Sequence, residues 1–315
     1  MIAVERPLVS VIVPAFNSEG TIAETLESAG AQSWRDIEII IVDDGSTDMT
    51  ARIAEDFCSR EPRARLVRQS NEGVAAARNR GIKEASGQWI APLDADDLWH
   101  PAKIERQIAA ARASPLTGLV YSWSRIIDAA SEVTANASSA IVEGDVLAEH
   151  LRSNFIGNGS TPLIDRKLLD GQPYDSRVDG CADYLLQLRL AARTRFAFVP
   201  QYLTGYRVTS SNMSSDALRM IGDHVRLFGL LIPDLPPRYR RSAAREMARW
   251  QARLAWVLLR RGRGADALAS LAASMRRHPA TAVDETLQRF SSLAGREPPA
   301  TERLGKFRDL DPEEI

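Results

Sequence analysis

Three carboxylates stand within four positions of the sequence, at Asp94, Asp96 and Asp97, directly after the apolar run 88–91. Acidic side chains crowded at the end of a buried strand repel one another unless a cation lies between them. Mg²⁺ and Mn²⁺ suit such a place, because these hard ions prefer oxygen ligands and often complete their coordination with substrate phosphates. If the segment is extended, Asp94 and Asp96 point the same way. The cluster therefore predicts a site for a divalent cation and a diphosphate.

Two further polar clusters follow apolar runs earlier in the chain. Residues 14–17 follow the β-branched run 9–13, and the acidic turn 43–48 follows the run 37–42. Strand-like and helix-like segments alternate here, which predicts parallel βαβ units whose ligands gather at the carboxyl ends of the strands. All three clusters would then fall at one edge of the sheet, and we interpret them as parts of one site.

The elements that must position these clusters follow from hydrophobic periodicity and turn residues. They predict an α/β fold with a mixed, mainly parallel sheet flanked by helices. The predicted strands are 9–13, 37–42, 65–68 and 88–93, and the predicted helices are about 19–29, one ending near 57, and 73–84. Farther on we expect a strand over 119–127, a short helix within 140–151, a helix over 183–192, and paired strands 196–199 and 202–208 around Pro200.

Size and composition restrict the class of protein. The chain has 315 residues, 44% hydrophobic and 26% charged, with a formal net charge of −1, which is typical of a soluble globular protein. Two cysteines make a disulfide framework implausible and suit a reducing compartment. Neither a signal peptide nor a bilayer-spanning run is apparent. We expect a cytoplasmic protein with no nucleic-acid partner.

The last hundred residues differ in character from the rest. They are rich in Ala, Arg and Leu, and we predict a boundary between a domain over 1–215 and a helical region over 216–315. A helix over about 239–261 carries apolar residues on one face and five arginines on the other. Such a helix can lie on an anionic membrane, so residues 238–261 are a candidate for peripheral membrane contact. Packing of its apolar face on the first domain is the favoured interpretation, and residues 295–315 are expected to be frayed.

Taken in order, the polar clusters resemble those of the family 2 glycosyltransferases, inverting enzymes with the GT-A fold. The resemblance covers about residues 8–214. The four strongest stretches are 9–17 (VSVIVPAFN), 42–48 (VDDGSTD), 71–79 (NEGVAAARN) and 93–99 (LDADDLW); two weaker ones are 180–184 (GCADY) and 206–212 (YRVTSSN). Any one stretch is common by chance, but four in the right order on the right strands are specific.

The resemblance implies a role for each matching residue. Asp43 or Asp44 would accept a hydrogen bond from a base N–H, with Asp44 preferred, and an ionised carboxylate favours uracil or thymine over cytosine. Asp96 would bind the metal, and Asp94 would meet the ribose or metal-bound water. Asp183 would be the general base that takes the proton of the attacking hydroxyl. The remaining residues of the expected nucleotide pocket are Pro14, Ala15, Asn17, Glu19, Asn71, Gly73, Arg78 and Ala95.

Two positions depart from the family pattern. Ala182 stands where a Glu usually precedes the base, and Thr209 stands where a His is expected after the Tyr-Arg pair. These departures leave open a catalytically impaired, nucleotide-binding or scaffold protein of a glycan assembly complex. A Rossmann dehydrogenase is disfavoured, because residues 14–17 hold no glycine-rich phosphate loop. A membrane-associated assembly protein, acting through its arginine-rich C-terminal region, remains a third alternative.

The sequence thus predicts an inverting glycosyltransferase that depends on Mn²⁺ or Mg²⁺. Its donor would be a nucleotide sugar, UDP-linked by preference, and its acceptor a saccharide or glycolipid hydroxyl in cell-surface polysaccharide or glycoconjugate assembly. From the family, the acceptor is expected to meet residues 158–161 and the segment before Asp183.

Overall fold

A computed structural model describes residues 6–209, 216–291 and 305–307. The strands are β1 (Val9–Ala15), β2 (Ile37–Asp43), β3 (Ala64–Arg68), β4 (Trp89–Pro92), β5 (Leu98–Trp99), β6 (Thr117–Ile127), β7 (Val133–Ser138), β8 (Leu163–Asp165) and β9 (Arg195–Arg207). The helices are α1 (Ile22–Gly30), α2 (Thr50–Arg60), α3 (Val74–Glu84), α4 (Lys103–Arg112), α5 (Leu147–Arg152), α6 (Ala182–Ala191), α7 (Ala217–Leu231), α8 (Pro237–Arg260), α9 (Gly264–Arg277) and α10 (Pro279–Ser291).

One mixed sheet runs through the molecule in the order β3-β2-β1-β4-β8-β6-β9-β5, with β7 paired to β6. Strands β1 to β4 are mutually parallel, whereas β8 runs antiparallel to both β4 and β6. The chain moves outward from β1 through β2 to β3, then returns to place β4 on the other side of β1. This reversal of strand order opens a crevice at the carboxyl ends of β1 and β4, where ligands of α/β folds bind.

The predicted α/β fold and its first four strands are confirmed, with boundaries within two residues of those expected. These strands are buried on both faces, because helices pack on either side of the sheet. Ile12 and Ile40 join one hydrophobic cluster with α3 and α6, while Val11 and Ile39 join another with α1 and α4. Because successive residues point to opposite faces, a nearly continuous apolar run is required.

The paired strands expected around Pro200 are wrong. Residues 195–207 form the single strand β9, parallel to β6, with a register shift that pairs Ser122 with Val199 and Trp123 with Tyr202. Pro200 and Gln201 lie in this irregularity. Proline lacks the N–H that a ladder needs, so it is accommodated by a bulge rather than by a turn.

Helices α7 and α8 continue the hydrophobic core of the sheet. Leu227 and Phe228 of α7 belong to the same buried cluster as Ile12, and Trp250 of α8 packs against that cluster. The favoured interpretation of the C-terminal helices is confirmed to this extent. The domain boundary at residue 215 stays a prediction, since the core runs across it.

The arginine face predicted for α8 is not a uniform solvent face. Arg249 and Arg253 both pair with Glu285 of α10, at 3.8 and 2.8 Å, and Glu285 is only 4% exposed. Helix α10 therefore covers part of the arginine face, whereas Arg241 and Arg245 are exposed. Within the described residues, no helix combines the length and the apolar character that crossing a bilayer demands.

The chain returns to the sheet near its C-terminus, where fraying was expected. Phe307 is 2% exposed and lies in a cluster with Leu98, Ile127 and Val133. A side chain at Gly205 would approach the Phe307 ring to 3.0 Å, so the ring lies directly on the backbone of β9. The backbone N–H of Phe307 donates to the Ser131 carbonyl at 3.1 Å. The prediction of fraying is wrong for 305–307, and the rest of 295–315 lies outside the described residues.

Replacing Phe307 with Ala should lower the free energy of unfolding by about 3 kcal/mol, because a large buried side chain is lost and a cavity remains. Denaturant titration would measure the loss. Phe16→Ala is the matched control, since Phe16 is 46% exposed and its removal should change stability by less than about 0.5 kcal/mol. Equal losses in the two variants would contradict the docking of residues 305–307.

Candidate active site

The carboxyl ends of β1, β2 and β4 bring the three polar clusters together at one edge of the sheet. Ala15 at the end of β1 pairs in register with Asp43 at the end of β2, and Ile12 pairs with Pro92 of β4. Pro14 and Ala15 are buried residues at the end of β1. The convergence expected from the sequence is therefore present in the structure.

Asn17 and Glu19 join the loop after β1 to the loop after β2. Asn17 has a left-handed backbone with φ of 47°, and its Oδ1 accepts from the backbone N–H of Thr47 at 2.9 Å. Glu19 Oε2 accepts from the backbone N–H of Met49 at 2.9 Å. These two side chains thus shape the rim of the crevice through contacts within the chain. Phe16, which the sequence reasoning did not single out, is an exposed aromatic residue on the same rim.

The Asp44 carboxylate holds the loop that follows β3 through hydrogen bonds. Its carboxylate accepts from the backbone N–H groups of Glu72 and Gly73, both at 2.9 Å, and from Gln69 Nε2 at 2.8 Å. Gly73 has a φ of 92°, a conformation that favours glycine, and Asn71 is exposed beside it. Three of roughly four acceptor positions on the Asp44 carboxylate are therefore used inside the protein.

Asp43 is as buried as Asp44 but is bonded differently. Its Oδ1 accepts from the backbone N–H of Ser46 at 3.1 Å. In the described part of the chain, this is the one hydrogen bond seen to its carboxylate. Of the two acidic residues, Asp43 is thus the better placed to accept from a ligand.

The acidic loop, residues 94–97, joins β4 to β5. Asp94 Oδ1 pairs with Arg78 Nη2 at 2.5 Å. Burial, followed by the neighbouring charge of Asp94, raises the pKa of Asp96 to about 6. Asp97 is fully buried, and burial followed by the charges of Asp96 and Asp94 raises its pKa well above the usual range. Ala95 is also buried, and its carbonyl accepts from Thr21 and Thr25 of the α1 region.

The carboxylates of this loop fit a divalent cation. The charge of Asp94 raises the pKa of Asp96, and a cation between the two side chains would relieve that repulsion. In the described ranges, no group of three or more His, Cys, Asp or Glu side chains is arranged to hold a metal. One or two carboxylates completed by substrate phosphates are what Mg²⁺ ordinarily uses.

Arg78 is a buried residue and not a solvated position on α3. It is 6% exposed, and its guanidinium lies 5.2 Å from the centroid of the Tyr174 ring. A Cβ added at Gly159 would come within 3.0 Å of Arg78 Nη2 and 3.1 Å of Asp94 Oδ2, so the backbone there packs tightly on the ion pair. The positive charge of Arg78 also acts on Asp183.

Asp183 lies in the first turn of α6. Burial raises the pKa of its carboxyl group, while the charge of Arg78 and a hydrogen bond from the Tyr184 backbone oppose that rise. Ala182 beside it is fully buried. A half-buried carboxylate with a raised pKa, near the Arg78 guanidinium, is a candidate general base.

Arg207 supports the acidic loop from the end of β9. Its backbone N–H donates to Asp97 Oδ1 at 2.9 Å, and its Nε donates to the Asp96 carbonyl at 2.6 Å. Nη2 reaches Glu24 Oε2 at 2.9 Å and Ser131 Oγ at 3.0 Å. Arg207 is 1% exposed and therefore acts inside the protein. Of the weak family stretch 206–212, residues 210–212 lie outside the described residues.

Residues 158–161 do not form an open acceptor loop. Asn158, Ser160 and Thr161 are 4%, 0% and 0% exposed, so the contact expected between their side chains and an acceptor is wrong. Ser160 turns inward and bonds to the acidic loop, whereas the side chains of Asn158 and Thr161 bond to each other. Sequence reasoning found the segment but not its role, since no local pattern shows which distant groups it satisfies.

Comparison with known proteins adds independent findings. A family model described as glycosyl transferase family 2 matches residues 10–167. The chain is 36% identical over 185 residues to a chondroitin synthase of Escherichia coli, covering 59% of this chain and 26% of that protein. It is 44% identical over 110 residues to the uncharacterized glycosyltransferase EpsJ of Bacillus subtilis, covering 35% of this chain and 32% of that protein. The chain thus spans about a quarter to a third of the length of these relatives.

Solved structures resemble the whole chain at low identity. The mannosyltransferase PcManGT of Pyrobaculum calidifontis, in complex with GDP-Man and Mn²⁺, gives a TM-score of 0.62 at 23% identity, covering 94% of this chain and 82% of that one. TarS 1–349 of S. aureus, in complex with UDP-GlcNAc, gives a TM-score of 0.67 at 15% identity. The match covers 97% of this chain and 98% of that one. At such identities the likeness supports the GT-A fold alone.

Replacing Asp44 with Ala should lower the free energy of unfolding by about 2–3 kcal/mol, because three donors around residues 69–73 lose a charged acceptor. The matched control is Asp43→Ala, which is equally buried but removes the single hydrogen bond from the Ser46 N–H and should cost about 1 kcal/mol. Urea titration of both variants would measure the difference. A larger loss for Asp43→Ala would contradict the structural role assigned to Asp44.

Proposed function

The chain belongs to glycosyl transferase family 2, and on that basis we propose that it moves a sugar from a nucleoside diphosphate donor to an acceptor hydroxyl. The single observation that carries the proposal is the meeting of the acidic loop with Arg78 and Asp183 at the carboxyl edge of the sheet. A diphosphate needs cationic partners, and an attacking hydroxyl needs a base. The acidic loop would supply the first by holding a cation, and Asp183 would be the second.

We assign base recognition to Asp43, in place of the Asp44 preferred from the sequence. The Asp44 carboxylate is used by residues 69–73, whereas Asp43 has acceptor capacity left. An ionised carboxylate matches the N3–H of uracil and rejects cytosine. It also matches the N1–H of guanine, so UDP and GDP are the two nucleotides to compare, with UDP preferred. Phe16, exposed on the rim, is positioned to cover an aromatic base.

Asp96, with Asp94, would hold Mn²⁺ or Mg²⁺ against the diphosphate. Such an ion, when bound, supplies Lewis-acid stabilisation of the charge on the leaving diphosphate. The protein's own contribution is to hold the acidic loop in place from both sides, through Arg78 and Arg207. Asn71, Gly73 and Asn17 would line the nucleotide around this centre.

Asp183 would act as the general base. As the acceptor oxygen forms its bond to the anomeric carbon, the bond from that carbon to the diphosphate oxygen breaks, and its electron pair leaves with the diphosphate. The acceptor proton passes to the Asp183 carboxylate. Attack from the face opposite the leaving group inverts the anomeric configuration.

The departures at Ala182 and Thr209 keep a catalytically impaired protein as the second candidate. Ala182 is fully buried beside the base, so no neighbouring carboxylate can orient an acceptor from that position. The presence of both Asp96 and Asp183 favours an active enzyme. Turnover by the wild-type protein, set against donor binding, distinguishes the two candidates.

The biological setting is proposed by likeness. One relative is named chondroitin synthase, which agrees with a role in polysaccharide or glycoconjugate assembly and with a saccharide or glycolipid acceptor. Peripheral membrane contact through 238–261 would have to use exposed positions such as Arg241 and Arg245, because Arg249 and Arg253 are paired with Glu285.

Asp183→Asn should lower the rate of sugar transfer by 10²–10⁴-fold, since an amide cannot take the acceptor proton. Release of nucleoside diphosphate would be followed with Mn²⁺ and a panel of UDP and GDP sugars. In the wild type, the base form is lost as pH falls through a pKa raised by burial, so the acid limb of kcat should lie above the usual range of an aspartate.

The matched control for this experiment is Asp179→Asn. Asp179 precedes α6 by three residues and also has a pKa raised by burial, but no proton transfer is assigned to it. Its loss of rate should stay below about tenfold. A wild type that binds nucleotide but transfers no sugar would favour the impaired protein, and full activity of Asp183→Asn would exclude Asp183 as the base.

Asp96→Ala should weaken Mn²⁺-dependent UDP binding by at least ~10-fold, because even outer-shell partners of a metal site contribute that much. Calorimetry with Mn²⁺ and with EDTA would measure the affinity. The EDTA value should be the same for wild type and variant, since the metal is then absent from both. If UDP affinity is unchanged by EDTA and also unchanged by the Asp96 substitution, the metal site is excluded.

A further inference from the structure

We infer that Ser160 is a positioning residue for the metal–diphosphate site, which rests on the function proposed above. Ser160 lies between α5 and β8, more than sixty positions from the acidic loop in sequence. It is completely buried. Its hydroxyl cannot touch substrate, so any influence on the reaction must pass through the groups it bonds.

The Ser160 hydroxyl bonds to both ends of the acidic loop. Its O–H donates to Asp97 Oδ2 at 2.5 Å, and its Oγ accepts from the backbone N–H of Asp94 at 3.0 Å. One side-chain oxygen therefore fixes the first and last residues of the stretch that carries Asp96. Alanine could replace neither bond.

The serine itself is held in a fixed place. The Trp99 indole N–H donates to the Ser160 carbonyl at 2.8 Å, and the Ser160 backbone N–H donates to Asn158 Oδ1 at 3.1 Å. Asn158 Oδ1 also accepts from the Thr161 hydroxyl at 2.6 Å. Because hydrogen bonds hold both the carbonyl and the N–H of Ser160, its hydroxyl is kept in a fixed position.

The acidic loop needs such a support because its carboxylates repel one another. Arg207 bonds to Asp96 and Asp97 from the β9 side, and Ser160 bonds from the opposite, β8 side. Asp97 uses both oxygens in these contacts, Oδ1 for Arg207 and Oδ2 for Ser160, so it acts as the inner anchor and leaves Asp94 and Asp96 to face the crevice. Without Ser160, the loop would keep its other contacts but lose the bonds that tie Asp94 to Asp97, and the two outer carboxylates would be held less closely for a cation.

Ser28→Ala is a matched control. Ser28 is also a buried serine whose hydroxyl accepts a nearby backbone N–H, that of Trp99 in β5 at 3.2 Å, but no hydrogen bond joins its hydroxyl to Asp94 or Asp97. Ser160→Ala removes both bonds to the loop. Ser160→Cys keeps nearly the same volume with a weak hydrogen-bonding group, so it decides the question if the alanine variant fails to fold.

The experiment measures UDP affinity by calorimetry, with Mn²⁺ and with EDTA, on full-length wild type and on the Ser160→Ala, Ser160→Cys and Ser28→Ala variants. We expect the UDP affinity of Ser160→Ala and of Ser160→Cys to fall about tenfold or more in the presence of Mn²⁺. With EDTA they should match the wild type, and Ser28→Ala should match it under both conditions.

A folded Ser160 variant with wild-type affinity in Mn²⁺, or with equal losses in Mn²⁺ and EDTA, would overturn the inference while leaving the proposed function in place. Equal losses would mean general damage to the nucleotide pocket. A wild type whose UDP affinity is the same in Mn²⁺ and EDTA would instead overturn the metal-dependent function, and this inference with it.

Discussion

Mutual repulsion of carboxylates in a half-buried loop is the constraint on which the site depends. Coulomb energy between like charges grows as water is excluded. The protein offsets it by placing Arg78 against Asp94 and by turning Asp97 inward, where Arg207 donates to it through the backbone. Asp96 is left with a raised pKa at the crevice. The order of strands, the burial of α3 and the course of β9 all serve to bring these groups to one place.

Much of this arrangement could be predicted because it is encoded locally. Strands β1 and β2 are nearly continuous apolar runs, and each ends in residues that terminate a strand, so their positions and the polar edge they share follow from the sequence. The acidic loop directly follows β4 for the same reason. Asp183 was found through its family motif, and its place in the first turn of α6 agrees with that expectation.

What escaped prediction depends on groups far apart in the sequence. Whether Asp43 or Asp44 is available to a ligand is decided by the loop 69–73, which only the fold brings beside them. The helical pattern places Arg249 on the arginine face of α8, and only the fold brings Glu285 of α10 beside it. Ser160 turns inward because the Asp94 backbone and the Asp97 carboxylate, more than sixty positions away, accept or need its hydrogen bonds. In each case a local pattern gives the residue type, and a distant partner decides its role.

The family match ends at residue 167, yet the proposed base, the Arg207 support and the docked Phe307 all lie beyond it. Phe307 rests on Gly205, two residues before Arg207 in the same strand. Chimaeras joined near residue 167 would therefore have to transfer β9 together with residues 305–307. The contact between Gly205 and Phe307 joins two segments about a hundred positions apart. The place where such a chimaera could be divided depends on that contact and not on residue 167, where the family match ends.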